Sequence, residues 1–425
     1  MNKVLIIALL LLSTSLQAAE KGIKFEHGLT WAQIKAKAKK ENKYIFVDGY
    51  TSWCVPCKMM AKEIFPQQEV GDFFNKNFIN VSVQFDVTKN DNADVKLFYK
   101  DAKYLATTYK IAAYPTFLFF NPNSDLVHTI VGGTTKADEF IAKAKPALDP
   151  ATQYTRQKNE FEKGNREPTF LLKLVRSAQQ TNDVVFIPIA ANAYLATQKD
   201  LLTDENIKLL VIATQKSTDP GFTTVLKDAD KIDAVAGKGK SAVIINDIAF
   251  DELILPELRK DGKKVDNGFM LYYTGDIIKD VNWDNVKSKI EATYPGRSDD
   301  MITCAKPAYY QWLEDRPKFM ENVNTYAATR PKGFDTNKLN SYAWDVYMNS
   351  NNQEELKTAA EWSKSTVNYT QENLYCLNTY ACLLYKAGEK DTGIAAFEKL
   401  IKINGQENEG LTKQLSKMKA GEKIW

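Results

Sequence analysis

The first third of the chain alternates short apolar runs with amphipathic stretches. Strands are predicted where apolar residues run together or alternate with polar ones, at 44–48, 81–85, 116–120 and 126–131. Helices are predicted where helix formers prevail or apolar residues recur at helical spacing, at 30–41, 55–65, 70–77, 92–109 and 137–145. After the first helix, the order βαβαββα predicts an α/β fold with a mixed sheet covered by helices on both faces.

Short polar motifs mark where these elements begin and end. Thr30 and Gln33 form a capping-box pattern at the start of the first helix. A polar turn at 121–125 joins the last two strands into a hairpin, and Gly132-Gly133 ends the second of them. Asp149-Pro150 is typical of a linker, so the first domain is predicted to end just before it.

Beyond the linker, helical patterns dominate. The segment 227–282 is hard to interpret, because its apolar pieces at 242–245 and 269–273 fit either a helix or a strand. The second part of the chain is therefore predicted to be mainly α-helical and repeat-like. The predicted segments are a signal peptide at 1–19, an α/β domain at 20–148, a helical domain at 150–300 and helical repeats at 301–425.

An internal echo near the C-terminus favours repeats. Leu339–Ala343 recurs as Leu377–Ala381 after 38 residues, and Ala359–Ser363 aligns with Gly393–Phe397 at a distance of 34. A period near 34 with paired amphipathic helices resembles the tetratricopeptide repeat. Because only two degenerate copies are visible, an unrelated helical bundle is the alternative.

The N-terminus has the pattern of a signal peptide. Lys3 precedes an unbroken apolar run, Val4–Leu12, and small residues follow at Ala18 and Ala19, where cleavage is predicted. The apolar run is too short to span a bilayer, so we expect a periplasmic or secreted protein with no membrane span in the mature chain. A membrane anchor is the alternative.

Length and composition predict a globular protein of about two or three domains. The chain has 425 residues, of which 44% are hydrophobic and 26% charged. A formal net charge of +3 without a dense basic patch gives no basis for a nucleic-acid partner. Five cysteines are too few to hold a fold of this size together.

Cys54 and Cys57 are the residues most typical of chemistry. They follow a predicted buried strand and begin a helix, so Cys54 is expected at a helix N-terminus, where free backbone N–H groups stabilise a thiolate. Cys57, one turn later, can resolve a mixed disulfide, and Pro56 fits the first helical turn. The alternatives are half of a zinc site and a permanently closed structural disulfide. Because neither His27 nor His128 has metal-ligand spacing, no metal is predicted.

The other three cysteines are predicted to be ordinary side chains. Cys376 and Cys382 are six residues apart, which places them on different faces of one helix and argues against a mutual disulfide. Cys382 is expected to be buried between repeat helices, and Cys304 to behave similarly.

Two separated segments, 46–58 with its W-C-V-P-C-K motif and 109–117 with its Y-P-T-F motif, resemble the thioredoxin superfamily. The resemblance covers about residues 25–148 and points to the periplasmic thioredoxin domains of disulfide-interchange reductases. It implies a thioredoxin fold and a thiol–disulfide oxidoreductase, in which Cys54 is the nucleophile and Cys57 the resolving thiol.

The resemblance also implies roles for the residues around the dithiol. Asp48 matches the buried acid that moves a proton for the resolving thiol, although a strand-end residue without a role is the alternative. Pro115 matches the cis proline that packs beside the dithiol. Tyr114 would offer backbone groups to an extended substrate segment, and Trp53 and Pro56 would complete the substrate-binding surface.

Some positions depart from the family pattern or allow two interpretations. Gly132-Gly133 falls where the family keeps a glycine near the active site, but it could equally only end a strand. The segment 81–86 contains no lysine to partner Asp48. About 17 extra residues around 89–103 form either a helix that shapes substrate access or an inert insertion.

The leading hypothesis is a reductase or isomerase of protein disulfides, because Val55-Pro56 keeps the proline common in reductants. No cofactor is expected beyond the redox-active disulfide Cys54–Cys57. The expected partners are protein thiols and disulfides, an upstream redox donor or acceptor protein, and a protein bound by the helical repeats. The alternative is a helical-repeat binding module whose thioredoxin domain is vestigial or senses redox state.

Overall fold

A computed structural model describes residues 21–266, 271–369, 373–404 and 409–425. The chain forms two compact units, one ending at Ala190 and one comprising Ala191–Trp425. The predicted signal peptide lies outside the described residues. The domain boundaries predicted after residues 148 and 300 stay predictions. Across the described part of the chain, no helix is both long and apolar enough to cross a lipid bilayer.

From residue 21 onward, the first unit contains four strands and most of eight helices. The strands are β1 (Tyr44–Tyr50), β2 (Phe78–Gln84), β3 (Thr116–Phe120) and β4 (Leu126–Val131). The helices are α1 (Trp31–Glu41), α2 (Val55–Met59, continued by a π turn at Met60–Ile64), α3 (Gln68–Asn77), α4 (Ala93–Thr108), α5 (Ala137–Ala144, continued by a 3-10 turn at Lys145–Leu148), α6 (Tyr154–Glu162), α7 (Pro168–Gln180) and α8 (Phe186–Leu195).

The strands form one mixed sheet in the order β2-β1-β3-β4. β1 is parallel to β2 and antiparallel to β3, and β3 is antiparallel to β4. The predicted mixed sheet and its hairpin are therefore confirmed. The predicted capping box of α1 is also present, since the Thr30 side chain accepts from the Gln33 N–H.

Alternate residues of β1 face opposite sides of the sheet, and each side has its own core. Ile45 and Val47 pack with the buried residues of α1 and α4. Phe46 packs on the other side with an aromatic cluster beneath α2, α3 and α5. Asp48 follows this alternation and lies on the Phe46 side, the side that α2 covers.

β2 begins three residues before its predicted start. The sequence does not predict this earlier start, because a buried polar residue, Asn80, interrupts the apolar pattern. The Asn80 amide donates hydrogen bonds to the Lys24 carbonyl and to the Asn75 side chain, at 3.2 and 3.1 Å. Lys24 and Asn75, the latter on α3, therefore satisfy the buried NH2 group of this amide, whereas its Oδ1 atom is buried without a hydrogen-bond partner.

The second unit is mostly helical. Its helices are α9 (Asp204–Ala213), α10 (Phe222–Lys227), α11 (Ala229–Ala236), α12 (Lys240–Ala249, continued by a π turn at Phe250–Ile254), α13 (Leu255–Leu258), α14 (Trp283–Thr293), α15 (Ser298–Trp312), α16 (Arg316–Thr329), α17 (Thr336–Asn349), α18 (Gln353–Tyr369), α19 (Leu374–Lys386), α20 (Lys390–Asn404) and α21 (Glu409–Lys419). Two small antiparallel ladders pair β5 (Arg259–Lys260) with β8 (Asp276–Ile277), and β6 (Lys264–Asp266) with β7 (Leu271–Tyr273).

The two apolar pieces with ambiguous patterns adopt different structures, as far as they are described; positions 269–270 of the second piece lie outside the described residues. Residues 242–245 lie in α12, whereas 271–273 form β7. In the C-terminal part, consecutive helices from α17 to α20 pack on one another around a common core that includes the buried Cys382. This arrangement agrees with helical repeats, and the tetratricopeptide assignment stays a prediction. Cys304, Cys376 and Cys382 are free thiols.

A buried histidine joins the β4 edge of the sheet to α5. The Nε2 atom of His128 lies 2.9 Å from the Lys143 carbonyl oxygen, so Nε2 carries the proton and donates. Its Nδ1 atom is buried without a hydrogen-bond partner. Burial lowers the pKa of His128 to about 4.

This histidine makes the stability of the fold depend on pH. Because the folded-state pKa is depressed, the unfolded state binds the proton more readily between about pH 6.5 and pH 4, and stability falls as the pH falls through this range. As the pH is lowered through this range, we expect the free energy of unfolding of His128→Leu to decrease by roughly 3 kcal/mol less than that of the unsubstituted protein. Urea unfolding at several pH values measures it, and a pH dependence equal to that of the unsubstituted protein would contradict the assignment.

Candidate active site around Cys54 and Cys57

The dithiol lies at the turn that connects β1 to α2. Cys54 is the N-cap residue of α2, and Pro56 is in the first turn. The two cysteines form a disulfide, with their Cα atoms 5.3 Å apart. The backbone N–H of Cys57 donates to Cys54 Sγ at 3.1 Å. The predicted position of Cys54 at a helix N-terminus is confirmed, and an N–H group already points at its sulfur.

Aromatic side chains form one wall beside the disulfide. Both cysteines are buried, whereas the flanking Trp53 and Val55 are exposed. The Trp53 ring meets the Tyr114 ring edge to face at 6.0 Å. The Phe85 ring also contacts the Tyr114 ring, with ring centroids 5.8 Å apart. The exposed surface around the buried sulfurs is therefore largely apolar and aromatic.

The Tyr114–Pro115 peptide bond is cis, as the resemblance implied for Pro115. The Pro115 carbonyl oxygen accepts from the Gly132 N–H at 2.8 Å. Gly132 has a positive φ of 88°, which favours glycine. At Gly133 an added Cβ would lie 3.3 Å from Met60 Cγ, so the loop after β4 fits closely against the helix that carries Cys57. Both glycines thus have a geometric reason besides ending a strand.

Asp48 is buried beneath α2, and Ser82 is its hydrogen-bond donor. The Ser82 hydroxyl, directly opposite on β2, donates to Asp48 Oδ2 at 2.8 Å. Burial raises the pKa of Asp48 to about 7, and the Ser82 hydrogen bond only partly opposes that shift. Ser82 is exposed, so it links the buried carboxyl group to the surface. A serine therefore contacts the acid in a segment that contains no lysine.

Asp86, which belongs to no recognisable sequence motif, anchors the turn before Trp53 through hydrogen bonds. Its Oδ1 atom accepts from the Ser52 N–H at 2.8 Å, and the Ser52 hydroxyl donates to Oδ2. The Gln84 amide donates to the Asp86 carbonyl and to Asp91 Oδ1, at 3.1 and 2.9 Å. The Tyr99 hydroxyl on α4 donates to Asp91 at 2.6 Å. Finding this network requires the strand register, which no single motif carries.

The structure therefore brings all seven predicted site residues to one end of the sheet. Cys54, Pro56 and Cys57 are at the start of α2, Trp53 and Tyr114 line the wall beside it, and Pro115 begins the approach to β3. Asp48 lies below on β1. Their individual roles remain predictions. Within the described ranges, no three His, Cys, Asp or Glu side chains group as metal ligands would.

Comparison with known proteins agrees with this geometry over the first third of the chain. A family described as a thioredoxin-like domain matches residues 31–147. The thiol:disulfide interchange protein DsbD of Pseudoalteromonas atlantica is 32% identical over 117 residues, which are 27% of this chain and 18% of that protein. Spermatogenesis-associated protein 20 of Rattus norvegicus is 34% identical over 98 residues, 23% of this chain and 11% of that protein.

Two solved structures each match about a third of the chain. A solution structure described as a candidate disulphide-isomerase from Bacteroides thetaiotaomicron shares 31% identity and covers 31% of this chain and 98% of that one, with a TM-score of 0.26. A DsbH oxidoreductase shares 20% identity and covers 32% of this chain and 92% of that one, also with a TM-score of 0.26.

The curated relatives are matched over only a small part of their own length, between 11% and 19% for the first three. Their whole-protein activities therefore do not transfer with the match. What the sequence match, the mixed sheet and the Cys54–Cys57 disulfide establish together is narrower: residues 31–147 of this chain form a thioredoxin-like domain that contains this disulfide, and a mostly helical region follows it.

Proposed function

We propose that the protein is a thiol–disulfide oxidoreductase that reduces or isomerises disulfides of protein substrates. The observation that carries the proposal is the Cys54–Cys57 disulfide at the N-terminus of α2, with the Cys57 N–H directed at Cys54 Sγ. An anionic sulfur at that position is stabilised by the free N–H groups of the first turn. Cys54 is therefore the attacking thiolate once the pair is reduced.

The reaction is two successive thiol–disulfide exchanges. The Cys54 thiolate attacks one sulfur of the substrate disulfide, forming a mixed disulfide and releasing the other sulfur as a thiolate. The Cys57 thiolate then attacks Cys54 Sγ, which closes the active-site disulfide and releases the second substrate thiol. The substrate gains two electrons and the protein loses two. A dithiol donor protein restores the reduced pair, and no other cofactor takes part.

Asp48 has the position and acidity to assist the second exchange. Cys57 must lose its proton before it attacks, and a carboxyl group with a pKa of about 7 can accept one near neutral pH. Asp48 lies on the side of the sheet that α2 covers, and exposed Ser82 connects it to solvent for return of the proton. In this proposal Asp48 is the base and Ser82 a positioning residue.

The site of action is the periplasm, and the helical region selects or tethers the partner. The location is supported by the signal-peptide pattern of residues 1–19. Partner selection is supported by the internal echo of the C-terminal sequence and by the consecutive packing of α17 to α20, the arrangement that repeat proteins use for binding. A binding module with a redox-sensing thioredoxin domain is the second candidate, and it rests on this same observation.

The first test separates these two candidates. With a dithiol donor, the purified protein should reduce insulin disulfides, and Cys54→Ser should abolish the activity because the thiolate that attacks the substrate is lost. Cys304→Ser, which removes a free thiol of the second unit, is the matched control and should change the rate little. Activity that survives Cys54→Ser would exclude the enzymatic proposal, whereas partner binding without any reductase activity would favour the binding module.

A trapping experiment identifies the substrates. Cys57→Ala removes the resolving thiol, so Cys54 should remain disulfide-linked to its natural substrates, which mass spectrometry identifies after non-reducing isolation. Cys54→Ala should trap far less material under the same conditions. Equal trapping by the two variants would mean that Cys54 is not the attacking sulfur.

The raised pKa of Asp48 should also make the free energy of unfolding depend on pH. Because its folded-state pKa is raised, the folded protein holds the proton more tightly than the unfolded chain, and stability falls as the pH rises from about 4 to 7. Asp48→Asn has no such group to titrate. With both proteins oxidised, the free energy of unfolding of the variant minus that of the unsubstituted protein should therefore increase by roughly 4 kcal/mol between pH 4 and pH 8, measured by urea unfolding.

Ser82→Ala is the companion variant. Its lost hydrogen bond no longer lowers the pKa of Asp48, so the stability transition should move to higher pH. A stability difference between Asp48→Asn and the unsubstituted protein that does not change with pH would contradict the buried-acid account.

A further inference from the structure

The turn between α7 and α8, together with the first part of α8, exposes apolar side chains. This segment lies after the end of the thioredoxin-like match at residue 147. Its side chains Val184 and Val185 are 43% and 53% exposed, and Ile189, one helical turn after Val185, is 49% exposed. Isolated apolar residues on a surface are ordinary, but three that adjoin one another form a patch. We call these three residues the apolar turn.

Hydrogen bonds hold the backbone in the conformation that exposes the apolar turn. The Asp183 carboxylate accepts from the Tyr154 hydroxyl at 2.8 Å and from Lys158 Nζ at 2.9 Å, both on α6. It also accepts from the Phe186 N–H at 3.1 Å, which caps the first turn of α8. The backbone immediately before the valines is thus held in place, and the valines are presented to solvent on a fixed support.

The same segment borders the active-site loop. The Thr181 carbonyl oxygen accepts from the Val131 N–H at 3.0 Å, so it caps the open edge where β4 ends. The next residue of that loop, Gly132, donates to the Pro115 carbonyl. A Cβ built on Gly132 would lie 3.8 Å from the Asn182 side chain. Gly132 therefore lies between buried Pro115 and exposed Asn182, which precedes the valines by two residues.

We propose that the apolar turn extends the substrate-binding surface and binds an aliphatic or aromatic side chain of an extended polypeptide substrate. This inference rests on the proposed oxidoreductase function. The path from Pro115 across Gly132 to Asn182 spans two inter-strand spacings of about 4.8 Å, and an extended chain that crosses it advances about 3.3 Å per residue. The bound side chain is therefore about three residues from the reacting cysteine. The occupant is a polypeptide because Gly132 joins the patch to the Tyr114–Pro115 segment, whose backbone the family resemblance assigns to binding an extended substrate segment.

The test compares three disulfide substrates. Two are peptide disulfides that differ only in carrying leucine or serine three residues to either side of the cysteine, and the third is oxidised glutathione, which is too short to reach the patch. Val184→Ser/Val185→Ser should lower kcat/KM for the leucine peptide about tenfold and leave the other two within about twofold, because only the leucine loses an apolar contact. Val184→Thr/Val185→Thr, which keeps the side-chain shape, should act in the same direction.

Ile212→Ser on α9 is the matched control, since this side chain is 42% exposed in the second unit. It should leave all three rates unchanged. Equal rates for the valine variants and the unsubstituted protein on the leucine peptide would overturn the inference, as would an equal loss on all three substrates. A dimer in light scattering that the valine substitutions dissolve would assign the patch to a second copy and also overturn it. If the unsubstituted protein reduces none of the three substrates, the proposed function itself fails.

Discussion

The contact between the Cys57 N–H and Cys54 Sγ is the constraint on which the chemistry depends. It exists because β1 is buried on both sides and ends at a fixed place, so that α2 can begin with Cys54 as its cap. A cysteine elsewhere on a helix would face backbone groups that are already paired. Placing the sulfur at the first free N–H groups is what makes one of two similar thiols the nucleophile.

The region around this contact is unusually well fixed. Asp86 holds Ser52 in the turn before Trp53, and the glycines after β4 bring their loop against Met60 on the π turn that continues α2. The 89–103 insertion takes part through Asp91 and Tyr99. Preorganisation of this kind restricts the approach of a substrate sulfur and leaves the apolar surface beside the disulfide as the place of recognition.

Much of this architecture could be predicted from the sequence, because β1, β3, β4 and the C-x-x-C helix carry strong local patterns. The prediction of β2 began too late, since buried Asn80 breaks the apolar run and its NH2 group is satisfied by Lys24, far away in the chain, and by Asn75 on α3. The Ser82–Asp48 pair and the Ser52–Asp86 anchor depend on strand register and turn geometry. Local pattern does not encode such contacts. For the same reason the local pattern did not show that 242–245 is helical and 271–273 a strand.

The most direct test of the account is the alkylation rate of the reduced protein as a function of pH, with mass spectrometry locating the label. If the helix N-terminus stabilises the thiolate, iodoacetamide should modify Cys54 first, with an apparent pKa below the value of about 8.5 for an unperturbed thiol. Cys57 and the three free cysteines should react later. Preferential labelling of Cys57, or a Cys54 profile at or above the unperturbed value, would contradict the central claim that Cys54 is the nucleophile.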